Sequence, residues 1–472
     1  MTDFGDLVGS ALGAFSAFMG PILLVLLLGG GLLLFIYSGL KPLRYIRHAW
    51  AILAGKYDDP NDPGEINHYE ALSSSIAATV GMGNISGVAI AIVSGGPGAL
   101  FWMWVSALLG MITKFFTCTL SVMYRKREAD GHIEGGPMYV IEEGLGKKWK
   151  PLAVLFAVAG LMGTWPVFQS NQLTEILSGI AGSGLEGVIP ADGIFGFSTE
   201  ILIRGLIGLL IAGVVSLVIF GGLHRISEVA GKLVPLMVVI YLISVLVILL
   251  LNYDKVPESF ALIFEDAFTG KAAVGGALGT LVIIGAQRAA FSNEAGIGTA
   301  PMMHGEAKTN EPVQEGLVAM LGPAIDTIVV CTLTALVIII TGEWKTGGNN
   351  GVALTSEAFT KALPGDVGTY VLVFSVVIFA FTTLFTYSYF GTKCLGYLAG
   401  QERKGIYNYI YIVLIVMGAV FPLKSIVNLI DGFYAVMAIP TVLSALLLAP
   451  KAKKEMDAYF SRLKTGEIKK HS

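Results

Sequence analysis

Apolar windows of about 20 residues recur along this chain, each long enough to cross the hydrocarbon core of a bilayer as a helix. Their pattern predicts about eleven spans, at residues 12–37, 72–93, 99–123, 152–173, 201–220, 229–251, 274–297, 313–340, 367–390, 406–421 and 426–448. Two of them are interrupted. The second carries Ala77-Ala78-Thr79-Val80-Gly81-Met82-Gly83-Asn84-Ile85-Ser86-Gly87 at its centre, and the seventh carries Phe291-Ser292-Asn293-Glu294-Ala295-Gly296-Ile297-Gly298. Glycines and small polar residues stand where a lipid-facing helix is uniformly apolar. Unpaired backbone at membrane depth survives only where it faces protein or a water-filled cavity. Paired interrupted helices at corresponding positions of two halves point to a transporter's binding site. The bland alternative is that the glycines are packing notches between helices. It accounts for one break as well as the first reading does, and for two matched breaks poorly.

Charge fixes the expected orientation. Lys41, Arg44, Arg47 and Lys56 follow the first span, and Arg125, Lys126, Arg127, Lys147, Lys148 and Lys150 separate the third from the fourth. Arg225 and Lys232 follow the fifth span, Lys393, Arg403 and Lys404 follow the ninth, and seven more basic residues follow the last, from Lys451 to Lys470. The alternate loops are acidic or mixed, with Asp3, Asp6, Glu186, Asp192, Asp254, Glu258, Glu343 and Glu357. Basic loops stay inside, so the N-terminus is expected outside the cell membrane and the C-terminus in the cytoplasm. With that topology the second and seventh spans enter from opposite sides. Each opens a run of five helices, and the runs are inverted repeats behind one extra N-terminal helix. The expected division is an extra helix and cytoplasmic linker at 1–69, a first repeat at 70–252 with its break at 77–87, a second at 253–449 with its break at 288–298, and a cytoplasmic tail at 450–472.

Composition agrees. Of 472 residues, 54% are hydrophobic and only 14% charged, with mean hydropathy +0.72; a soluble chain carries roughly 25% charged residues. There is no basic stripe or motif for nucleic acid. Cys118, Cys331 and Cys394 fall in or beside apolar spans and read as packing residues. The apolar run at 23–34 lacks a basic segment before it and is followed by Lys41 and Arg44, so it reads as a retained helix.

An interrupted helix exposes N–H groups at the start of one half and C=O groups at the end of the other. The first set receives an anionic group and the second a cation. Gly81 and Gly83 admit close approach to backbone, and Thr79, Asn84, Ser86, Ser292 and Asn293 add neutral oxygens and amides. A ligand with both a carboxylate and an ammonium suits such a site. Charges inside spans cost about 2.5–3.5 kcal/mol at a helix centre, so each must face protein or water. Asp326 reads as a cation ligand, against a structural bond to a neighbouring helix terminus. Glu294 reads as a direct ligand contact, a partner for Arg288, or a cap on half-helix N–H groups. Lys114 reads as structural, leaning toward the cytoplasmic side. Thr382 and Thr383 put adjacent hydroxyls at mid-membrane, which suits a hard cation, although an isolated Thr bonds back to its own helix. In the fourth span Pro166 predicts a kink, and Gln169 reads as a substrate contact or as glue between helices.

At these residues the chain resembles the alanine or glycine:cation symporter family. Gly95-Gly96-Pro97-Gly98-Ala99-Leu100-Phe101-Trp102-Met103-Trp104, Gly135-Gly136-Pro137-Met138-Tyr139 and Asp326-Thr327-Ile328-Val329-Val330-Cys331 extend the match over nearly the whole chain. The resemblance implies an all-α polytopic membrane protein of LeuT-type fold. It implies no enzyme activity and no cofactor apart from sodium as coupling ion, with uptake of a small neutral amino acid such as alanine or glycine. One sodium would use carbonyls of Ala77, Val80 and Phe379 with the hydroxyls of Thr382 and Thr383. A second would use Thr79, Asn84, Ser292 and Asp326. The substrate carboxylate would meet N–H groups around Gly81 and Gly83, with Phe168, Gln169, Phe291, Ile297 and Tyr387 as walls and Thr79, Ser292 or a carbonyl of the second break at the ammonium. The chain departs from the family's usual residues at Met82, Thr117, 163–166, Thr386 and Tyr387, all near the expected pocket. That pattern suggests retained coupling with a shifted substrate preference. A proton-coupled carrier or an amino-acid sensor of the same fold is the alternative. A channel would need a continuous polar stripe, and a hydrolase a nucleophile with its base or a metal motif.

Overall fold

The computed structural model describes residues 2–127, 132–185, 198–269, 277–348, 350–468 and 470. Glu186, Asp192 and Lys469 of the loop-charge argument, and the expected start of the seventh span at Val274, lie outside the described residues. The described chain is helical apart from a two-residue antiparallel pair, β1 (Lys126–Arg127) with β2 (Ile133–Glu134).

The helices that place the site follow in chain order. The first, α1 (Leu7–Ser38), packs along the outside of the last. A short amphipathic α2 (Ile46–Leu53) precedes the bent pair α3 (His68–Thr79) and α4 (Gly83–Gly95). Next come α5 (Ala99–Met123), α6 (Lys150–Gly163), α7 (Val167–Leu185), α8 (Thr199–Ile219) and α9 (Gly222–Leu251). A connecting α10 (Val256–Thr269) leads to a second interrupted pair, α11 (Ala277–Asn293) and α12 (Thr299–His304). Then follow α13 (Pro312–Thr341), α14 (Gly351–Ala362), α15 (Val367–Ala399), α16 (Ile406–Val420) and α17 (Leu423–Thr465).

Among the described residues, eight helices are long and apolar enough to cross a membrane when α6 and α7 count as one, and a ninth arises if α3 and α4 form one bent span. The remaining two expected spans are the split α11 and α12, and α16, which has only 15 residues. Pro166 does break the fourth span: α6 ends at Gly163 and α7 starts at Val167. The last span does not stop near 448; α17 continues without interruption to Thr465.

Burial separates core from shell. Helix α5 is enclosed along almost its whole length, against α11, α12, α13 and α17. Helices α8 and α9 show leucines outward instead, with Leu217 69% and Leu250 72% exposed. Such an apolar outer surface is what lipid covers. Helix α14 packs against α13 and α15, and its Thr355 hydroxyl donates to the Ile85 carbonyl at 3.2 Å.

Candidate binding site at two interrupted helices

Helix α3 begins at a capping box: the Asn67 side chain accepts from the Glu70 N–H at 2.8 Å, and the Glu70 carboxylate accepts from the Asn67 N–H at 3.0 Å. The helix ends at Thr79. Val80 takes ψ 89°, outside the helical range, and the chain resumes through a π-helical turn at Gly83–Gly87, with a bend of 50° between the halves. Asn84 closes this break from within, its Oδ1 accepting from the Gly81 N–H at 2.9 Å. That N–H, expected to meet a substrate carboxylate, is therefore occupied by the protein itself. Met82 is fully buried in the break.

The second break is built from left-handed backbone. Glu294 has φ +54°, Gly296 +85° and Gly298 +111°. A Cβ at Gly298 would sit 2.6 Å from the Thr441 hydroxyl oxygen, so only glycine fits there. Glu294 lacks that freedom, and such a conformation costs about 1–3 kcal/mol unless its surroundings hold it. They do: Tyr387 and Tyr434 donate to its Oε1, the latter at 3.0 Å, and Thr299 donates to its Oε2. Glu294 is thus held by hydroxyls, whereas Arg288 pairs with Asp431 of α17. Tyr387, expected as a plain pocket wall, spends its hydroxyl on this carboxylate.

The two breaks touch each other. A Cβ on Gly83 would lie 3.0 Å from the Phe291 carbonyl oxygen and 3.2 Å from the Ser292 Cα. Against the first break stands α15. Its Thr383 hydroxyl lies 3.0 Å from the Ala77 carbonyl and 3.0 Å from the Phe379 carbonyl, joining oxygens from two helices. The Thr382 hydroxyl points to Ile378 and Phe379 carbonyls of its own helix, both at 3.0 Å. Ala77, Phe379 and Thr383 are therefore brought together, with Thr382 on the same Phe379 carbonyl and Val80 adjoining in the break. An all-oxygen neutral set is the chemistry of a hard cation.

The second expected cation group is assembled around Asp326, which lies in a π-helical stretch of α13. Its Oδ2 accepts from Ser292 at 2.7 Å and from Thr327 at 2.9 Å, while Asn84 donates to its Oδ1. Asn84, Ser292 and Asp326 converge; Thr79 does not, since its hydroxyl donates to the Ser75 carbonyl at 3.1 Å in its own helix. Lys114 of α5 is buried at 1% exposure and acts electrostatically on both Glu294 and Asp326, rather than leaning out to the membrane edge.

Aromatic rings flank the breaks. Phe168 meets Phe291 edge-on with centroids 4.6 Å apart, and Phe291 lies 5.9 Å from Tyr434. Gln169 is buried beside Phe168, and its Oε1 has no hydrogen-bond partner among the described residues. Ile297 contributes its carbonyl to Thr441 at 3.1 Å. Tyr434, Thr299, Thr327 and Asp431 escaped sequence reasoning. Tyr434 and Asp431 lie singly in an apolar run, and Thr299 and Thr327 adjoin Gly298 and Asp326 with no spacing of their own to flag them.

A cavity of about 500 Å³ lies elsewhere, where α3 begins, and none of the expected site residues lines it. Glu134, Glu306, Lys393 and Asn408 do. Lys393 contacts Glu306 and lies 3.3 Å from Glu134. Burial, with Glu134 adding to it, pushes the Glu306 carboxyl up to about 7 against the pull of Lys393.

The profile of the sodium:alanine symporter family matches residues 6–472. The chain belongs to that family. AgcS, a sodium/alanine symporter of Methanococcus maripaludis, is 36% identical over 455 residues, covering 95% of this chain and 96% of that protein. An uncharacterized transporter of Haemophilus influenzae is 39% identical, covering 97% of each. GlnT of Bacillus subtilis, a probable sodium/glutamine symporter, is 34% identical, covering 85% of this chain and 80% of its own length. The crystal structure of MhsT in complex with L-phenylalanine superposes with a TM-score of 0.56 at 13% identity, covering 83% of this chain and 98% of that one, which establishes the shared fold. This family member is accordingly a multi-pass secondary transporter, with sodium and an amino acid as its cargo, and is not an enzyme.

Proposed function

We propose that the chain couples inward sodium movement to uptake of a small neutral amino acid, alanine, glycine or similar, by alternating access. In this reading eleven spans form two inverted five-helix repeats behind one extra helix, in the cell membrane, with the N-terminus outside and the C-terminus cytoplasmic. The observation that carries it is the junction of the two breaks with α15, where Thr383 gathers the carbonyls of Ala77 and Phe379. Sodium between these oxygens would hold α3 against α15, and the amino acid would bind beside it, with the touching rings of Phe168 and Phe291 as one wall. The unpartnered Gln169 oxygen is a ready acceptor for an ammonium, since an unmade buried hydrogen bond costs about 1–3 kcal/mol. Inward movement of each sodium across 100 mV gains about 2.3 kcal/mol.

The test is uptake of a panel of labelled amino acids by reconstituted vesicles, with and without a sodium gradient. Sodium-driven accumulation of one or more small neutral amino acids is expected, and equal uptake without the gradient would remove the coupling. Thr382→Ala combined with Thr383→Ala is expected to abolish the sodium-dependent part. Unchanged uptake in that variant would remove the sodium assignment.

A further inference from the structure

One end of each interrupted helix, cytoplasmic in the proposed orientation, meets the other in a buried cluster that the transport site does not use. Glu315, in the first turn of α13, is fully buried. Its Oε1 lies 2.5 Å from Nδ1 of His304, the last residue of α12, and its Oε2 contacts Nδ1 of His68, the first residue of α3. One carboxylate thus clasps both helices. To donate there, each imidazole carries its proton on Nδ1. Nε2 of both rings is buried with no hydrogen-bond partner among the described residues. Facing His68 Nε2 at 4.0 Å is Asp58 Oδ1, also buried and also unpartnered. Two acceptors opposed across such a gap make a site that lacks one proton.

We propose that Asp58, His68, Glu315 and His304 form a proton-binding latch, loaded from the cytoplasm, that holds the ends of the two interrupted helices shut. A proton on His68 Nε2 places an imidazolium between two carboxylates, with a charge-assisted contact on each side. The other groups facing the cluster do not supply that charge. Gln314 is neutral, its side chain reaching His68 only as an acceptor, and Cys118 of α5 is a buried thiol. Arg125 acts on Glu315 from a distance, with Nη1 and Nη2 committed to the carbonyls of Ala307 and Thr309 at 2.9 and 2.6 Å. With both imidazoles neutral, Asp58 and Glu315 carry two negative charges that Arg125, which Glu306 and Asp62 also draw on, does not neutralise, and a proton on His68 reduces that excess. Burial pushes Asp58 up, with Glu315 adding to it and His68 opposing, so this region takes up a proton more readily than exposed carboxylates do. The loaded latch has contacts that a swung-out α3 lacks. It therefore strengthens as cytoplasmic pH falls and weakens as it rises.

The inference rests on the alternating-access reading, in which cytoplasmic opening parts α3 from α12 and α13. The test uses right-side-out membrane vesicles with lumen pH set at about 6 or about 8, at constant external pH, potential and sodium gradient. The initial uptake rate of the best-transported amino acid is expected to fall about fivefold from the alkaline to the acid lumen, one unit of proton affinity being tenfold. Glu315→Gln keeps the shape and loses the charge, and should cut that dependence below about twofold. Asp58→Asn, in a half-exposed loop that tolerates change, should do the same. A wild type without the dependence, or variants that retain it, would overturn the latch. If no amino acid moves at all, the transport reading fails first, and the latch is judged by hydrogen exchange of the purified chain. Amides at 68–74 should be better protected at about pH 6 than at about pH 8, after correction for intrinsic rates, in wild type and not in Glu315→Gln. Equal protection sinks it.

Discussion

At Gly81 a single missing atom decides whether a site exists. A Cβ there would overlap the Thr383 hydroxyl oxygen, the same oxygen that gathers the Ala77 and Phe379 carbonyls. Gly81→Ala should therefore push α15 away from α3 and reduce sodium-dependent uptake at least tenfold, while leaving folding intact as judged by gel filtration. Thr383 can be dissected more finely. Serine keeps the oxygen and should preserve the sodium response. Valine keeps the shape and loses the oxygen, which at about 1.5–3 kcal/mol for a charged partner should raise the half-saturating sodium concentration by roughly 10- to 100-fold. A valine variant with wild-type sodium dependence would move the cation elsewhere. These residues were legible in the sequence because glycine and paired hydroxyls carry their chemistry in their type. The Glu294 cradle was not. Tyr434 lies 140 positions from Glu294 along the chain, and nothing in an isolated tyrosine says which way it points. The Arg288 partner was hidden in the same way, since Asp431 sits alone in an apolar run.

At the scale of elements, hydropathy located eight long apolar helices, nine with the bent pair, but placed their ends poorly. The clearest difference lies in the expected tail, whose residues 450–465 continue the helix that begins at Leu423. Ala452, Met456, Tyr459 and Phe460 are buried, and their spacing of four, three and one is an amphipathic stripe that did announce a docked helix. The stripe was masked by seven basic residues that read as a solvated end. It docks on α2 and the segment just before it: Tyr45 stacks on Phe460 at 4.0 Å, His48 Nε2 lies 2.7 Å from the Tyr459 hydroxyl, and Lys41 reaches Asp457 at 2.5 Å. Burial, with Lys470 adding to it, lowers His48 to about 4 from its ordinary 6.5. The undocked helix therefore binds a proton more readily than the docked one. Docking should be fully stable above about pH 6.5, weaken as pH falls toward 4, and change no further below that. Amide exchange across 456–465 at stepped pH would register this, after correction for intrinsic rates. His48→Phe should flatten the profile. A wild-type profile that is already flat would refute the link between His48 and docking.

Across the whole molecule, charge and coupling meet at one place. The buried centre holds Glu294, Asp326 and Asp431 against Lys114 and Arg288, one negative charge in excess when all are ionised. Isolated charge is costly at membrane depth, so a bound monovalent cation would bring the centre to balance while drawing α3, α11, α13 and α15 together. Sequence alone could reach this arrangement as far as the two breaks and the Thr pair. It could not reach the balance, because which cation answers which carboxylate depends on helix packing. If sodium completes the centre and the amino acid completes the sodium site, each must raise the other's affinity by the same factor. A ligand at 100 times its dissociation constant stabilises the folded state by about 2.7 kcal/mol. The melting temperature of the purified chain should then rise with the transported amino acid in sodium chloride and rise far less in choline chloride. The sodium-induced shift should likewise grow when the amino acid is present. Asp326→Asn removes the excess charge and should shrink the sodium shift even without the amino acid, whereas a carrier whose two cargoes bind independently would give the same amino-acid shift in both salts and in the variant.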